Sequence, residues 1–146
     1  MEPEYINLIR LLNEEGAEYV VLGGHAVIAH GYLRTTGDVD IFVRPSHSNA
    51  IKILKAMERY GYTDGEFELE DFIKVPSYLS FGRHDGWIDI MTFTLGVSFD
   101  ECYDNRLTLE IQGVPVNFIG LRQLLENKRA IGRPQDLRDL ENLRDE

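Results

Sequence analysis

Gly37-Asp38-Val39-Asp40-Ile41-Phe42-Val43 is the stretch whose reading decides the fold. Asp38, Asp40 and Phe42 fall on one side of an alternating pattern and Val39, Ile41 and Val43 on the other, which predicts a half-buried strand over 38–43. Residues i and i+2 of a strand project from one face at a rise of roughly 3.3 Å per residue, so two short carboxylates can converge on one hard cation. Acids two apart are common by chance: 25 acidic positions among 146 give roughly four such pairs. This pair is informative because the rest of its strand is Val, Ile and Phe.

Immediately upstream, Tyr19-Val-Val-Leu22 reads as a buried strand, Gly23-Gly24 as the turn that ends it, and His25 to His30 as a brief helix closed by Gly31. At such a strand-glycine-helix junction, backbone N–H groups and the positive helix end can meet a phosphate without obstruction from a Cβ. Neither Gly-x-x-x-x-Gly-Lys-Ser/Thr nor Gly-x-Gly-x-x-Gly is present, which removes the P-loop and dinucleotide-fold readings. Further upstream, residues 3–15 carry Ile6, Leu8, Ile9, Leu11 and Leu12 at helical spacing, with Gly16 as the stop.

Downstream, Ser46 or Ser48 can cap an amphipathic helix running to Tyr60, with Ile51, Ile53, Leu54 and Met57 on its apolar side and Gly61 at its end. Residues 62–76 fit two patterns: Glu66-Phe-Glu-Leu-Glu70 alternates as a strand does, while Leu69, Phe72 and Ile73 fit a helical face. Residues 78–81, 87–93, 107–111 and 114–119 read as further strands, with turns at Asp85-Gly86 and Gln112-Gly113. Residues 120–130 and 133–144 read as two closing helices. The sum is an α/β (α+β) domain, a mixed sheet flanked by helices, with an antiparallel hairpin near 107–119 and a single domain over 1–146.

A third acid, Asp89, stands in Trp87-Ile-Asp-Ile-Met91, again a lone charge inside an apolar strand. Burying it costs several kcal/mol unless it is paired, metal-bound or beside solvent. If it neighbours Asp38 and Asp40, the three carboxylates raise one another's pKa unless divalent ions compensate them.

The bulk properties narrow the partners. With 15 basic against 25 acidic residues the formal charge is −10, which opposes an extended nucleic-acid surface. Cys102 is the sole cysteine, so no intrachain disulfide forms and no zinc-site spacing exists, in keeping with a reducing cytoplasm. The longest nearly uncharged stretch, Tyr19 to Tyr32, is too short and too polar to span a bilayer, and the start Met-Glu-Pro-Glu lacks the form of a secretory signal. A cytoplasmic protein with no membrane partner is expected.

Taken together, Leu22-Gly-Gly-His-Ala-Val-Ile-Ala-His-Gly31, Arg34-Thr-Thr-Gly-Asp-Val-Asp-Ile41 and Ile88-Asp-Ile90 resemble the nucleotidyltransferase superfamily with the DNA polymerase beta-like fold. The tail Asn127-Lys-Arg-Ala-Ile-Gly-Arg-Pro-Gln-Asp-Leu-Arg-Asp139 is similar to the helical end of the small bacterial group that includes AbiEii-like toxins. The resemblance implies Asp38 and Asp40 as metal ligands, Asp89 as metal ligand or base, and Gly23 and Gly24 on the phosphates. It also implies two Mg²⁺ ions, with Mn²⁺ as a substitute, and a nucleoside triphosphate as donor. Many relatives carry Ser where Gly24 stands, and larger ones have a further domain that selects the acceptor.

The expected chemistry is in-line attack of an acceptor hydroxyl on the α-phosphorus, with pyrophosphate leaving. The acceptor is an RNA end, a protein or a small molecule, and a toxin-antitoxin component with an antitoxin partner is one setting for it. Arg34, Lys128 and Arg133 are the candidates to meet triphosphate oxygens. His25 and His30, five apart, are poorly placed to share a metal and are expected to pack or cap. The alternative is a domain of this fold that has lost catalysis and serves as an interaction or antitoxin-like partner.

Overall fold

A computed structural model of the chain describes residues 1–62, 65–83 and 86–143. It contains one six-stranded mixed sheet in the order β3-β4-β2-β1-β6-β5. The strands are β1 (Tyr19–Leu22), β2 (Val39–Val43), β3 (Tyr78–Arg83), β4 (Gly86–Met91), β5 (Leu107–Ile111) and β6 (Val114–Phe118). The helices are α1 (Pro3–Glu15), α2 (Gly23–Ala29), α3 (His47–Tyr60), α4 (Phe99–Asp104), α5 (Leu121–Ile131) and α6 (Pro134–Asn142). The centre of the sheet combines β1 antiparallel to β2 with β2 parallel to β4, and the β5–β6 hairpin extends it through a parallel β1–β6 pair. None of the helices among the described residues is long and apolar enough to cross a membrane.

Local chemistry accounts for most element ends. Gly16 and Gly132 close α1 and α5 in the left-handed region that glycine enters without a Cβ penalty. Ser46 is the residue that caps α3, its hydroxyl accepting from the Asn49 N–H. In the β5–β6 hairpin, Gln112 and Gly113 both have positive φ, as a tight two-residue turn between right-twisted strands requires.

Several expectations are corrected. Asp38 precedes β2 instead of belonging to it, and the strand is buried on both faces: Phe42, on Asp40's side, is 2% exposed because Phe99 of α4 meets it edge-on at 5.2 Å. Gly23 and Gly24 form the first turn of α2 itself, with no separate loop. Ile51 points outward, while α3 buries Ala50 and Ala56 beside the expected Ile53 and Met57 on the side that packs against α1. β4 ends at Met91, short of Phe93, and residues 65–76 hold a 3₁₀ turn at Leu69–Phe72 and no strand. α4 was not anticipated, although Ser98 and Glu101 form the reciprocal capping box that marks a helix start. Asp85 of the expected Asp85-Gly86 turn, and Arg144 at the expected end of the last helix, lie outside the described residues.

Tyr5 of α1 connects this core to the edge of the site. Its ring meets His25 edge-on at 5.8 Å, and its hydroxyl is so close to Gly86 that a Cβ there would lie 2.0 Å from it. The hydroxyl is buried without a hydrogen-bond partner among the described residues. A buried polar group left unpaired costs about 1–3 kcal/mol, so Tyr5→Phe is expected to hold or raise stability, by about 1 kcal/mol, in urea denaturation. Destabilisation of similar size would show that the hydroxyl has a partner.

Candidate functional site

The register of the central strands builds the site. Leu22, Asp40, Asp89 and Ser80 are successive partners across β1, β2, β4 and β3, forming one transverse row. Residues paired directly across a sheet share a face, so Asp40 and Asp89 project together, Asp89 almost fully buried and Asp40 partly so. Asp38 stands at the mouth of β2, exposed, with one carboxylate oxygen accepting from the Trp87 N–H at 3.2 Å. The structure thus brings Asp40 and Asp89 together and holds Asp38 against the start of β4. Among the described residues, no three His, Cys, Asp or Glu side chains form a ready-made metal cluster.

The two central acids are in electrostatic conflict. Burial pushes the Asp40 carboxyl up to about 7, helped by a hydrogen bond and charge repulsion with Asp89 and, more weakly, by Asp38; Arg133 pulls in the opposite direction. Asp89 also accepts from the Ser80 hydroxyl at 2.6 Å, and the Tyr78 phenol lies close enough to feel its charge. Burial, then Asp89, then the other two acids hold that phenol up to about 12. Sequence reasoning missed Tyr78 and Ser80. Their i, i+2 spacing puts both on one face of β3, but only the β3–β4 register shows that it is the face of Asp89.

The glycines have packing reasons of their own. Gly23 has φ +63°, and a Cβ on it would lie 2.2 Å from Asp40 Oδ2. A Cβ on Gly24 would lie 2.2 Å from Thr36 Oγ1, because the loop carrying Arg34 and Thr36 crosses directly over it.

The three basic candidates are joined by two acids. Lys128 is buried, its ammonium 3.0 Å from Asp136 and 2.8 Å from Asp139. Arg34 reaches Asp139 through two hydrogen bonds of 2.9 and 3.0 Å, while Arg133 binds Asp136 with its side chain and its backbone N–H. Burial raises the carboxyls of Asp136 and Asp139, but their cationic partners overcome it and hold both below the usual carboxylate range. Of the three cations, Arg133 is the one whose side chain is mostly exposed, and it interacts favourably with Asp40.

A cleft of about 290 Å³ collects these features: Gly23, Asp40, Tyr78, Lys128 and Arg133 line it, with Phe93 and Leu95 as apolar wall. Asn127 fastens α5 to that wall, donating to Thr94 Oγ1 and to the Leu95 carbonyl. A second cavity of about 310 Å³ lies by His25, Ile28 and the 34–37 loop, and none of the three acids lines it. His25 packs on Tyr5 and His30 bonds to the Ile119 carbonyl, as their spacing suggested.

Two outcomes test this description. Lys128→Met leaves two buried carboxylates without their shared cation and is expected to cost about 3–5 kcal/mol in chemical denaturation. Asp40 has a folded pKa of about 7 against an ordinary value of 3.8, so its stabilising contribution is complete below pH 4 and is lost as pH rises through 7. In metal-free buffer Asp40→Asn should therefore be more stable than wild type at pH 8, by about 2 kcal/mol after allowance for solvent at the cleft mouth. The advantage should close below pH 4; an equal loss at both pH values would show that the two acids do not oppose each other.

Comparison with known proteins identifies the family and matches the fold. A family profile described as a nucleotidyltransferase of unknown function (DUF6036) matches residues 4–144, and the chain belongs to that family. Among solved structures, a protein from Thermotoga maritima described as a nucleotidyltransferase aligns with TM-score 0.62 at 15% identity, over 97% of this chain and 93% of that one. A lincosamide antibiotic adenylyltransferase bound to lincomycin aligns with TM-score 0.62 at 17% identity, over 97% and 95%. An antigenic nucleotidyltransferase-like protein from Paracoccidioides brasiliensis gives TM-score 0.55 at 18% identity, over 97% and 76%. At these identities the likeness is one of fold, a mixed sheet flanked by helices. No curated protein matches the chain in sequence.

Proposed function

We propose that the chain is a divalent-metal-dependent nucleotidyltransferase that moves a nucleoside monophosphate from a nucleoside triphosphate to an acceptor hydroxyl. The observation that carries this reading is Asp40 facing Asp89 across two parallel strands, in a cleft where burial and mutual repulsion push Asp40 up to about 7. An all-oxygen pair of this kind fits Mg²⁺, or Mn²⁺ in its place, because such ions are held by one or two carboxylates together with waters and substrate phosphates. Asp40 and Asp89 would hold the ion, with Asp38 at the rim. Once bound, the cation supplies the charge compensation that the pair lacks and neutralises the triphosphate.

The remaining work falls to the chain's own groups. Arg133, exposed at the cleft and oriented by Asp136, is placed to meet phosphate oxygens. Asp89 is the group to take the acceptor's proton as its oxygen attacks the α-phosphorus and pyrophosphate departs. Lys128 and Arg34 act through Asp136 and Asp139, keeping α5, α6 and the 34–37 loop in place. The neighbour named as an adenylyltransferase makes ATP the first donor to test.

The AbiEii-like tail resemblance draws on Asn127, Lys128, Arg133, Asp136 and Asp139, all engaged in bonds within the fold. A toxin pairing with an antitoxin therefore rests on the resemblance alone. The reading as a non-catalytic interaction partner draws on one observation: Thr36 fills the space over Gly24, so that position has no room for a side-chain hydroxyl.

Calorimetric titration with Mg²⁺ and a non-hydrolysable ATP analogue tests the proposal. Binding is expected for the wild type and at least about tenfold weaker, or about 1.4 kcal/mol, in Asp40→Asn and Asp89→Asn. Equal binding by both variants, or none by the wild type, sinks it.

A further inference from the structure

We propose that the chain is its own acceptor, with the phenolic oxygen of Tyr78 receiving the nucleoside monophosphate. This rests on the transfer chemistry proposed above. Tyr78 lies on β3, the edge strand, two residues before Ser80 and therefore on the same face as Asp89 and Asp40. It lines the cleft beside Asp40 and Arg133, two residues along β3 from the cross-strand partner of Asp89. An acceptor hydroxyl must come within hydrogen-bond reach of the base that takes its proton, and the β3–β4 register brings Tyr78 to the side of Asp89 without any other molecule.

Packing gives the residue no other evident role. Its side chain is 62% exposed, whereas Phe81 on the same strand is 7% exposed. Ser80 donates to Asp89, but its short side chain sits directly in the strand row and does not line the cleft. The phenol, longer and mobile about two torsions, can advance toward a triphosphate held beside Arg133.

The step balances without a further reactant beyond the nucleoside triphosphate. The phenolic oxygen forms a bond to the α-phosphorus, its proton passes to the Asp89 carboxylate, and the bond from the α-phosphorus to the bridging oxygen breaks. Pyrophosphate carries away that electron pair. The product is a tyrosyl nucleotide phosphodiester lying in the chain's own cleft, so the reaction stops after one turnover.

The test incubates the full chain with ATP and Mg²⁺, follows intact mass, and maps any adduct by peptide sequencing. In parallel it measures the melting shift caused by Mg²⁺ with a non-hydrolysable triphosphate. One nucleotide per chain is expected, on Tyr78 and absent from Tyr78→Phe, while Tyr78→Phe keeps the wild-type melting shift. An adduct on another residue, one that survives in Tyr78→Phe, or a Tyr78→Phe chain that loses the melting shift overturns the assignment. A melting shift with no adduct also overturns it and leaves the transfer chemistry standing. Neither shift nor adduct overturns both.

Discussion

Everything at this site follows from one unfavourable contact, a carboxyl opposite a carboxyl on adjacent parallel strands. Apolar neighbours along β2 and β4 bury the pair, and burial magnifies the repulsion that water would screen. A fold under selection for stability alone would replace one of the two with Asn or Val. The surrounding residues instead make room for the pair: Gly23 gives up its side chain so that Asp40 fits, and Ser80 donates to Asp89. Such strain is retained where a charged ligand relieves it.

The second layer of the site is held together differently. Arg34, Asp139, Lys128, Asp136 and Arg133 form an alternating chain of cations and anions whose charges are nearly all satisfied within the protein. Its inner members are buried and structural, while its outer end, Arg133, reaches the cleft with an exposed guanidinium. A single network thereby fixes the frame and presents one cation to the cleft. The overall charge of −10 leaves this exposed guanidinium as the cation at the cleft, a local exception to an acidic chain.

How much of this could be read from the sequence depends on the range of the forces involved. Strand alternation, glycine stops and the hairpin turn are local, so β1, β2, the β5–β6 hairpin and most helices were legible, as was the pairing of Asp40 with a later acid. Features set by distant contacts were hidden. The sequence marked Lys128 and Arg133 as cations but could not show that Asp136 and Asp139, a helical turn apart, consume Lys128 entirely. Asp38 was read as a strand residue because the alternating pattern cannot show that β2 begins one residue later and that the Asp38 carboxylate is bonded to the Trp87 N–H. The sequence could not show that Thr36 occupies the space over Gly24 where a side chain would stand. The buried face of Phe42 depended on α4, whose capping signal at Ser98 went unread.

The bond from Arg34 to Asp139 spans 105 positions in sequence, and it orders the loop that leads into Asp38 and Asp40. During synthesis the strands bearing the acids leave the ribosome long before residue 139 does. The nascent protein therefore carries its acids without the clasp that orders their approach loop, and the working centre is completed only as the final helix emerges. Any ligand that needs the ordered loop must wait for residue 139.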